Sequence, residues 1–389
     1  MAHYDFDKII KREQTESVKY DLRNWYFKTD DLLPMWVADM DFETPDFIRE
    51  AVASRVRHPI YGYSFRSQSY ADSIREWVER RHQWTIQNDW CVFSPGIVPA
   101  FNFAILTLTK PGDGVLIQPP VYFPFFSSVT DHHRKLLQNQ LVYNQGIYEI
   151  DFDDFEKKAS QASLFLLSNP HNPVGRIWNE AELRRMADIC RKHGVIIVSD
   201  EIHNDLILPG NKHTVMAGLS PEIADITLTC IAPSKTFNMA GLATSSVIIS
   251  NVELREKYAG FINALHLSGG NLFGAVASEA GYRRGDRWVD ELMQYVQQNI
   301  YLLKNQVEDL TDIRVVDSQA TYMVWLDFLK TGLEDEAIKK KLIHEAKVGL
   351  SHGPTFGYGG EGFQRINLAA PRKLVEEAIS RISVTFKCR

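Results

Sequence analysis

Val195-Ile196-Ile197-Val198-Ser199-Asp200-Glu201-Ile202-His203 is an unbroken apolar run that ends in acids. Runs of this length and continuity suit a strand covered on both faces, as in a parallel sheet wrapped by helices. A carboxyl group directly after such a strand is costly to bury unless a cation meets it. Similar apolar runs occur at 92–93, 115–118, 164–168, 226–231 and 246–250, with helical stretches such as 180–193 between them. That alternation predicts an α/β fold built on a largely parallel sheet. In open parallel sheets, ligands collect at the carboxyl ends of the strands. The residues just past each run are therefore the ones to read for chemistry.

Lys235 comes thirty-five residues beyond Asp200, in Ala232-Pro233-Ser234-Lys235-Thr236-Phe237-Asn238-Met239-Ala240-Gly241. Apart from Lys235, no charged residue lies between Asp225 and Glu253. Such surroundings desolvate an amine, lower its pKa and free it to act as a base or to form a Schiff base with a carbonyl. Ser234 is placed to donate to a phosphate oxygen. Ser94-Pro95-Gly96-Ile97-Val98 joins a strand to a helix, and the backbone N–H groups of Ile97 and Val98 at that helix start suit a phosphate; an ordinary turn is the alternative. Tyr122, after the run at 115–118, either stacks on a planar ring or packs in the core. Asn169-Pro170-His171-Asn172-Pro173 holds the Asn172 amide stiffly between prolines, as a donor to a phenolic oxygen would be held. Asp200 fits a protonated pyridine nitrogen, and a metal site with His203 is the weaker option because no Cys/His/Asp cluster is near. Phosphate donors, stacking ring, amide, acid and lysine follow one another on successive strand ends, in the order that pyridoxal 5′-phosphate (PLP) requires. Arg365, in Gly362-Phe363-Gln364-Arg365-Ile366-Asn367-Leu368, alternates with apolar neighbours and suits a substrate carboxylate; a structural ion pair is the alternative.

The chain has 389 residues, 44% hydrophobic and 24% charged, with material for two domains or more. A net charge of −6 without basic runs argues against nucleic-acid binding. No basic n-region precedes an apolar run at the N-terminus, and no stretch is long enough for a membrane span. Cys91, Cys190, Cys230 and Cys388 are far apart and read as small buried hydrophobes, which fits a reducing cytoplasm and neither a metal nor a disulfide framework. Residues 1–33 read as an arm with one short helix. Residues 33–42 are apolar and irregular, more like core than a covering strand. Thr44 is placed as N-cap and Pro45 as N1 of a helix to about Arg57. Further helices are expected at 69–81, 286–310, 334–346 and 374–386.

Asn172-Pro173-Val174-Gly175, Ser199-Asp200-Glu201-Ile202-His203 and Ser234-Lys235-Thr236-Phe237-Asn238 resemble the fold type I PLP enzymes of the class I/II aminotransferase type. Met35-Trp36-Val37-Ala38-Asp39-Met40-Asp41-Phe42, Tyr61-Gly62-Tyr63-Ser64 and Asp200-Glu201-Ile202-His203 are similar to the PatB/MalY branch, the cystathionine β-lyase-like carbon–sulfur lyases. The resemblance implies a mostly parallel seven-stranded sheet with helices on both faces, plus a smaller α+β domain formed by the two chain ends. The expected division is 1–48 as arm and part of the small domain, 49–285 as the PLP-binding domain and 286–389 as the small domain. It implies a homodimer with shared active sites, Tyr63 reaching the neighbouring subunit's phosphate and substrate. By motif position, Lys235 is the Schiff-base lysine, Asp200 the pyridine acid, Asn172 the O3′ ligand and Tyr122 the stacking ring. Ile97, Val98 and Ser234 are then phosphate ligands, His203 lies at the cofactor, and Arg365, Asn172 and Val37 face the substrate. The implied reaction is α,β-elimination of L-cystathionine or a related S-substituted cysteine to pyruvate, ammonia and a thiol. Lys235 is the base, and Tyr122, Tyr63 and Lys235 itself are the candidate proton donors to the thiolate. Two departures stand against a plain aminotransferase: His203 where those enzymes carry Tyr, and Ala243 where they carry Arg. An aminotransferase on this scaffold, and an added regulatory protein partner, are the alternatives.

Overall fold

The computed structural model describes residues 4–387, so Cys388 lies outside the described residues. Seven strands form the main sheet: β1 Cys91–Ser94, β2 Gly114–Ile117, β3 Lys135–Gln138, β4 Ala162–Ser168, β5 Ile196–Asp200, β6 Thr227–Ile231 and β7 Ser245–Ile248. They lie in the order β1-β7-β6-β5-β4-β2-β3, parallel except for β7, which runs antiparallel to both neighbours. The period-2 split of the strands is clean. Val115, Ile117, Leu164, Leu166, Val198 and Leu228 face one core, and Leu116, Phe165, Leu167 and Ile197 face the other. Each face is sealed by helices, so these runs carry no polar alternation. At ~1.5–3 kcal/mol for each large side chain fully buried, the two faces give the sheet a fixed register.

The helices that bear on the site are α1 Asp46–Arg57, α2 Gln68–His82, α3 Ile97–Leu108, α4 Glu180–His193, α5 Pro233–Thr236, α6 Leu272–Arg284, α7 Asp286–Leu310 and α8 Arg372–Thr385. Asn179 and Glu182 close a capping box at the start of α4, and Gly194 ends that helix at φ 69°. A second sheet contains β8 Arg314–Val315, β9 Met323–Asp327, β10 Ser351–His352 and β11 Phe363–Asn367 in the order β8-β9-β11-β10, all antiparallel. Val324, Leu326 and Ile366 pack with Leu292, Val296, Ile379 and Ile382 of α7 and α8. The N-terminal segment joins this end of the molecule, because Leu33–Pro34 pairs in parallel with Val348–Gly349.

Several sequence expectations shift. The arm carries two short helices, Val18–Asp21 and Arg23–Phe27, rather than one. Thr44 is not the cap of α1. Pro45 takes that place, while the Thr44 hydroxyl donates to the Asn238 carbonyl at 2.9 Å. The expected helix over 334–346 is α-helical only over Asp335–Lys340 and then widens to a π turn over Lys341–Ala346. The edge strand β3 was not foreseen, because its four residues are only partly covered and show no apolar run.

Candidate active site

Register brings the chemistry-bearing strand ends together. Ser168 of β4 lies opposite Asp200 of β5, which lies opposite Cys230 of β6. Asn172, Asp200 and Lys235 therefore leave three adjacent strands at the same edge. Lys235 sits in the four-residue α5, and its Nζ donates to the Ala38 carbonyl at 2.6 Å. Burial holds the lysine down to about 8, with Arg365 pushing the same way and Asp39 and Asp200 pulling back.

Asp200 is buried and accepts one hydrogen bond, from the Ile202 N–H at 3.1 Å. It has no ion-pair partner among the described residues. Burial, helped by Glu201, lifts its carboxyl to about 7 against the Ile202 bond and the Lys235 charge. A buried carboxylate so poorly matched within its own chain fits an incoming cationic ring nitrogen.

Arg365 of β11 is 4% exposed and, among the described residues, has no carboxylate within ion-pair distance. Its guanidinium donates to Asn172 Oδ1 at 2.9 Å, Ser351 Oγ at 3.3 Å and the Trp36 carbonyl at 3.4 Å, and lies 4.7 Å over the Phe356 ring. Its buried Nε has no acceptor. Among the described residues the structural ion pair left open by the sequence is absent, and burial lowers the group to about 10. Because Asn172 gives its oxygen to Arg365, its Nδ2 stays available as a donor. Tyr122 is half-buried, and burial plus Asp200 raise its hydroxyl while Arg365 lowers it. His203 is buried, its Nδ1 without a partner, and desolvation with Lys235 and Arg365 holds it neutral, at about 3.

Ile97 and Val98 begin α3 after Gly96, and neither N–H finds an acceptor among the described residues. Ser234, of intermediate exposure, makes no hydrogen bond through its hydroxyl among the described residues. Tyr63 is different. It is fully exposed in the loop between α1 and α2 and joins none of these groups within its own chain.

The stretch 33–42 proves to be both core and wall. Met35 and Met40 are buried, yet the Trp36 and Ala38 carbonyls accept from Arg365 and Lys235, while the Val37 and Asp39 carbonyls accept from the Nδ2 of Asn367, two residues past Arg365. Asn238, at φ 54°, fastens this wall to the lysine loop. Its Oδ1 accepts from the Met40 N–H at 3.0 Å, and its Nδ2 donates to the Met40 and Phe42 carbonyls at 3.0 and 2.8 Å. Asn tolerates that left-handed backbone better than most residues. Arg12 reaches Asp39 at 2.6 Å and Asp41 at 2.7 Å, and Lys19 reaches Asp41 at 2.6 Å.

Sequence reasoning missed the Ala38 carbonyl, Tyr322 and Ser351. Tyr322 is fully buried and donates to the same Ala38 oxygen at 3.1 Å. Only its place directly before the run at 323–327 signals it. The residues fit PLP on three observations: an ill-matched buried acid, a free amide donor, and two open N–H groups at a helix start. Together with a desolvated lysine and a buried arginine, they can hold a phosphorylated aldehyde and an amino acid's carboxylate.

Residues 31–382 match the family model for aminotransferase class I and II. Cystathionine beta-lyase PatB of Bacillus subtilis (strain 168) is 42% identical over 389 residues, covering 98% of this chain and all of that protein. Cystalysin from Treponema denticola, whose crystal structure contains a pyridoxal 5′-phosphate cofactor, superposes with a TM-score of 0.95 at 36% identity, over 99% of each chain. The PLP-bound C-S lyase from Staphylococcus hominis superposes with a TM-score of 0.93 at 32% identity, over 99% of this chain and 98% of that one.

Proposed function

The chain belongs to the class I and II aminotransferase family, and from that premise we propose the division of labour among its residues in a PLP-dependent carbon–sulfur lyase of the cystathionine beta-lyase kind. The observation that carries it is that Lys235 and Asp200 at the carboxyl edge of the main sheet and Arg365 on β11 of the second sheet come close enough for Lys235 to feel the charge of both, and that among the described residues none of the three has an opposite charge in ion-pair contact. Such groups are stable when ligands supply the missing partners.

When bound, PLP supplies an electron sink that stabilises negative charge at the substrate Cα. Lys235 would tether the cofactor, Asp200 hold its ring nitrogen, Asn172 its phenolic oxygen and Tyr122 its ring face. Ile97, Val98 and Ser234 would hold the phosphate. Arg365 binds the substrate carboxylate and, through Asn172, fixes it relative to the ring site. Lys235 takes the Cα proton; a pKa near 8 leaves a useful fraction of free amine at neutral pH. Tyr122, the partner subunit's Tyr63 and Lys235 itself are the candidate proton donors to the departing thiolate. His203, buried and neutral, adds no charge beside Lys235.

The homodimer with shared sites belongs to this proposal. Ile60, Tyr61, Tyr63 and Phe65 are exposed at 66, 58, 113 and 85% in one loop, an apolar surface suited to a second copy of the chain. Free Cys91, Cys190 and Cys230 agree with a cytoplasmic setting. Among the described residues no helix is long and apolar enough to cross a membrane.

The test is L-cystathionine without any keto acid. Pyruvate and free thiol should form, and Lys235→Ala should lose both this turnover and the visible absorbance of the bound cofactor. A requirement for a keto-acid acceptor would favour the aminotransferase reading.

A further inference from the structure

Two buried carboxylates lie immediately behind the site and take no part in the chemistry above. Asp205, 4% exposed, accepts at Oδ1 from Trp77 Nε1 at 3.0 Å and His82 Nε2 at 2.9 Å, both on α2. Its Oδ2 accepts from Thr236 Oγ1 at 2.8 Å. Glu201, fully buried, accepts at Oε1 from Ser199 Oγ at 2.8 Å and the Met216 N–H at 3.1 Å, and at Oε2 from His213 Nε2 at 2.8 Å. The His82 and His213 rings meet edge to face, with centroids 5.6 Å apart.

The chain positions decide what this cluster is for. Glu201 directly follows Asp200, and Thr236 directly follows Lys235. Packing alone needs no ions here, since apolar side chains of similar volume would hold α2 at least as firmly. What a carboxylate adds is direction. α5 has four residues, one helical turn, and its backbone is anchored by the Phe237 N–H to the Pro233 carbonyl at 2.9 Å. A single turn has little resistance of its own to rotation. The Thr236 hydroxyl, fixed on an acid that is itself fixed by two α2 donors, sets the angle at which Lys235 leaves the turn.

We propose that Asp205 is a positioning residue for Lys235, acting through the Thr236 hydroxyl, with His82 and Trp77 holding the carboxylate in place. The proposal rests on reading Lys235 as the cofactor-tethering residue. Supporting shells of this kind keep a reacting group within the narrow geometry that it needs. The role is separable from bulk, because valine has the shape of threonine without its donor and serine keeps the donor.

The experiment compares wild type, Thr236→Val, Thr236→Ser and Asp205→Asn. Each is measured for PLP affinity of the apoprotein, for the visible spectrum of the bound cofactor, and for kcat and KM on L-cystathionine. Far-UV circular dichroism of the apoproteins reports folding. Thr236→Val should fold, bind PLP about tenfold or more weakly, shift the visible band and lower kcat more than it raises KM. Thr236→Ser should stay close to wild type, and Asp205→Asn should follow the valine variant. An unchanged spectrum and affinity in Thr236→Val, or a serine variant as impaired as the valine one, overturns the positioning role. If Thr236→Val does not fold, a wild-type spectrum and affinity in Asp205→Asn overturns it equally. Borohydride reduction of wild type with PLP should place the label on the peptide that carries Lys235. A label elsewhere overturns the reading of the lysine, and this inference with it.

Discussion

Arg365→Met separates a substrate-binding arginine from a structural one. The guanidinium makes three hydrogen bonds, to Asn172, Ser351 and Trp36, and none to an acid. Burial brings it from 12.5 to about 10, which at ~1.36 kcal/mol per pH unit is on the order of 3 kcal/mol against the charged form. The three neutral acceptors return about 1 kcal/mol each. The two contributions nearly cancel, so methionine, which keeps the apolar stem, should leave apoprotein stability within about 1 kcal/mol of wild type. Substrate binding has no such cancellation. Two charge-assisted bonds to the carboxylate contribute about 3–6 kcal/mol, so kcat/KM for L-cystathionine should fall by about 10²- to 10⁴-fold. The assays are thiol release under kcat/KM conditions and urea unfolding of the apoprotein. A variant that keeps its kcat/KM, or one that loses several kcat/KM decades only because the apoprotein has unfolded, refutes the reasoning.

Asp200 makes a prediction about pH. Its folded pKa, about 7, lies above the unfolded value of 3.8, so the folded apoprotein binds the extra proton between those limits. Apoprotein stability from this group is therefore present at low pH and declines as pH rises from about 4 through 7. Asp200→Asn should remove that decline, making the variant apoprotein the more stable of the two at pH 8 by a few kcal/mol, as read from denaturant midpoints. Equal midpoints would show that the acid is not held as described. Lys19→Met should cost the folded state about 3 kcal/mol in urea unfolding, because it strips one of two cations from buried Asp41. A loss below about 1 kcal/mol would mean that Arg12 suffices. Mixing inactive Lys235→Ala with inactive Tyr63→Ala should regain partial activity as mixed dimers assemble one intact site, and no regain would count against sharing.

The sheet and most of the candidate site were legible in the sequence for one reason. Apolar runs mark buried strands, and an Asp, Asn or Lys within four residues of the end of such a run sits where burial needs a partner to explain it. Asp200, Asn172 and Lys235 all carry that signature, and the structure sets them on adjacent strand ends. Arg365 was only half legible. Alternation placed it inward, but whether an acid waited there depended on strands more than ten residues away in the chain. The 33–42 wall was less legible still, because its contribution is carbonyl oxygens, and every residue has one. Thr44 misled for a related reason. A hydroxyl before Pro is a good cap locally, yet the Asn238 carbonyl, nearly two hundred residues away, competes for it and wins.

The pattern of pairing among buried acids carries the functional reading further than any motif. Asp41 meets Lys19 and Arg12, Glu201 meets His213 and Ser199, Asp205 meets His82, Trp77 and Thr236, and Asp327 takes the Tyr143 hydroxyl. Asp200 has one backbone N–H. A chain that can satisfy four buried acids with side-chain donors has no packing reason to leave the fifth short. Nor has it one to leave Arg365 without an acid, when Asp200 lies close enough to perturb the same Tyr122 hydroxyl. Direct pairing of Asp200 with Arg365 would neutralise both. Among the described residues the two make no ion pair, while the Lys235 amine feels the charge of each. A cationic ring and an anionic amino acid satisfy that arrangement together, and neither satisfies it alone.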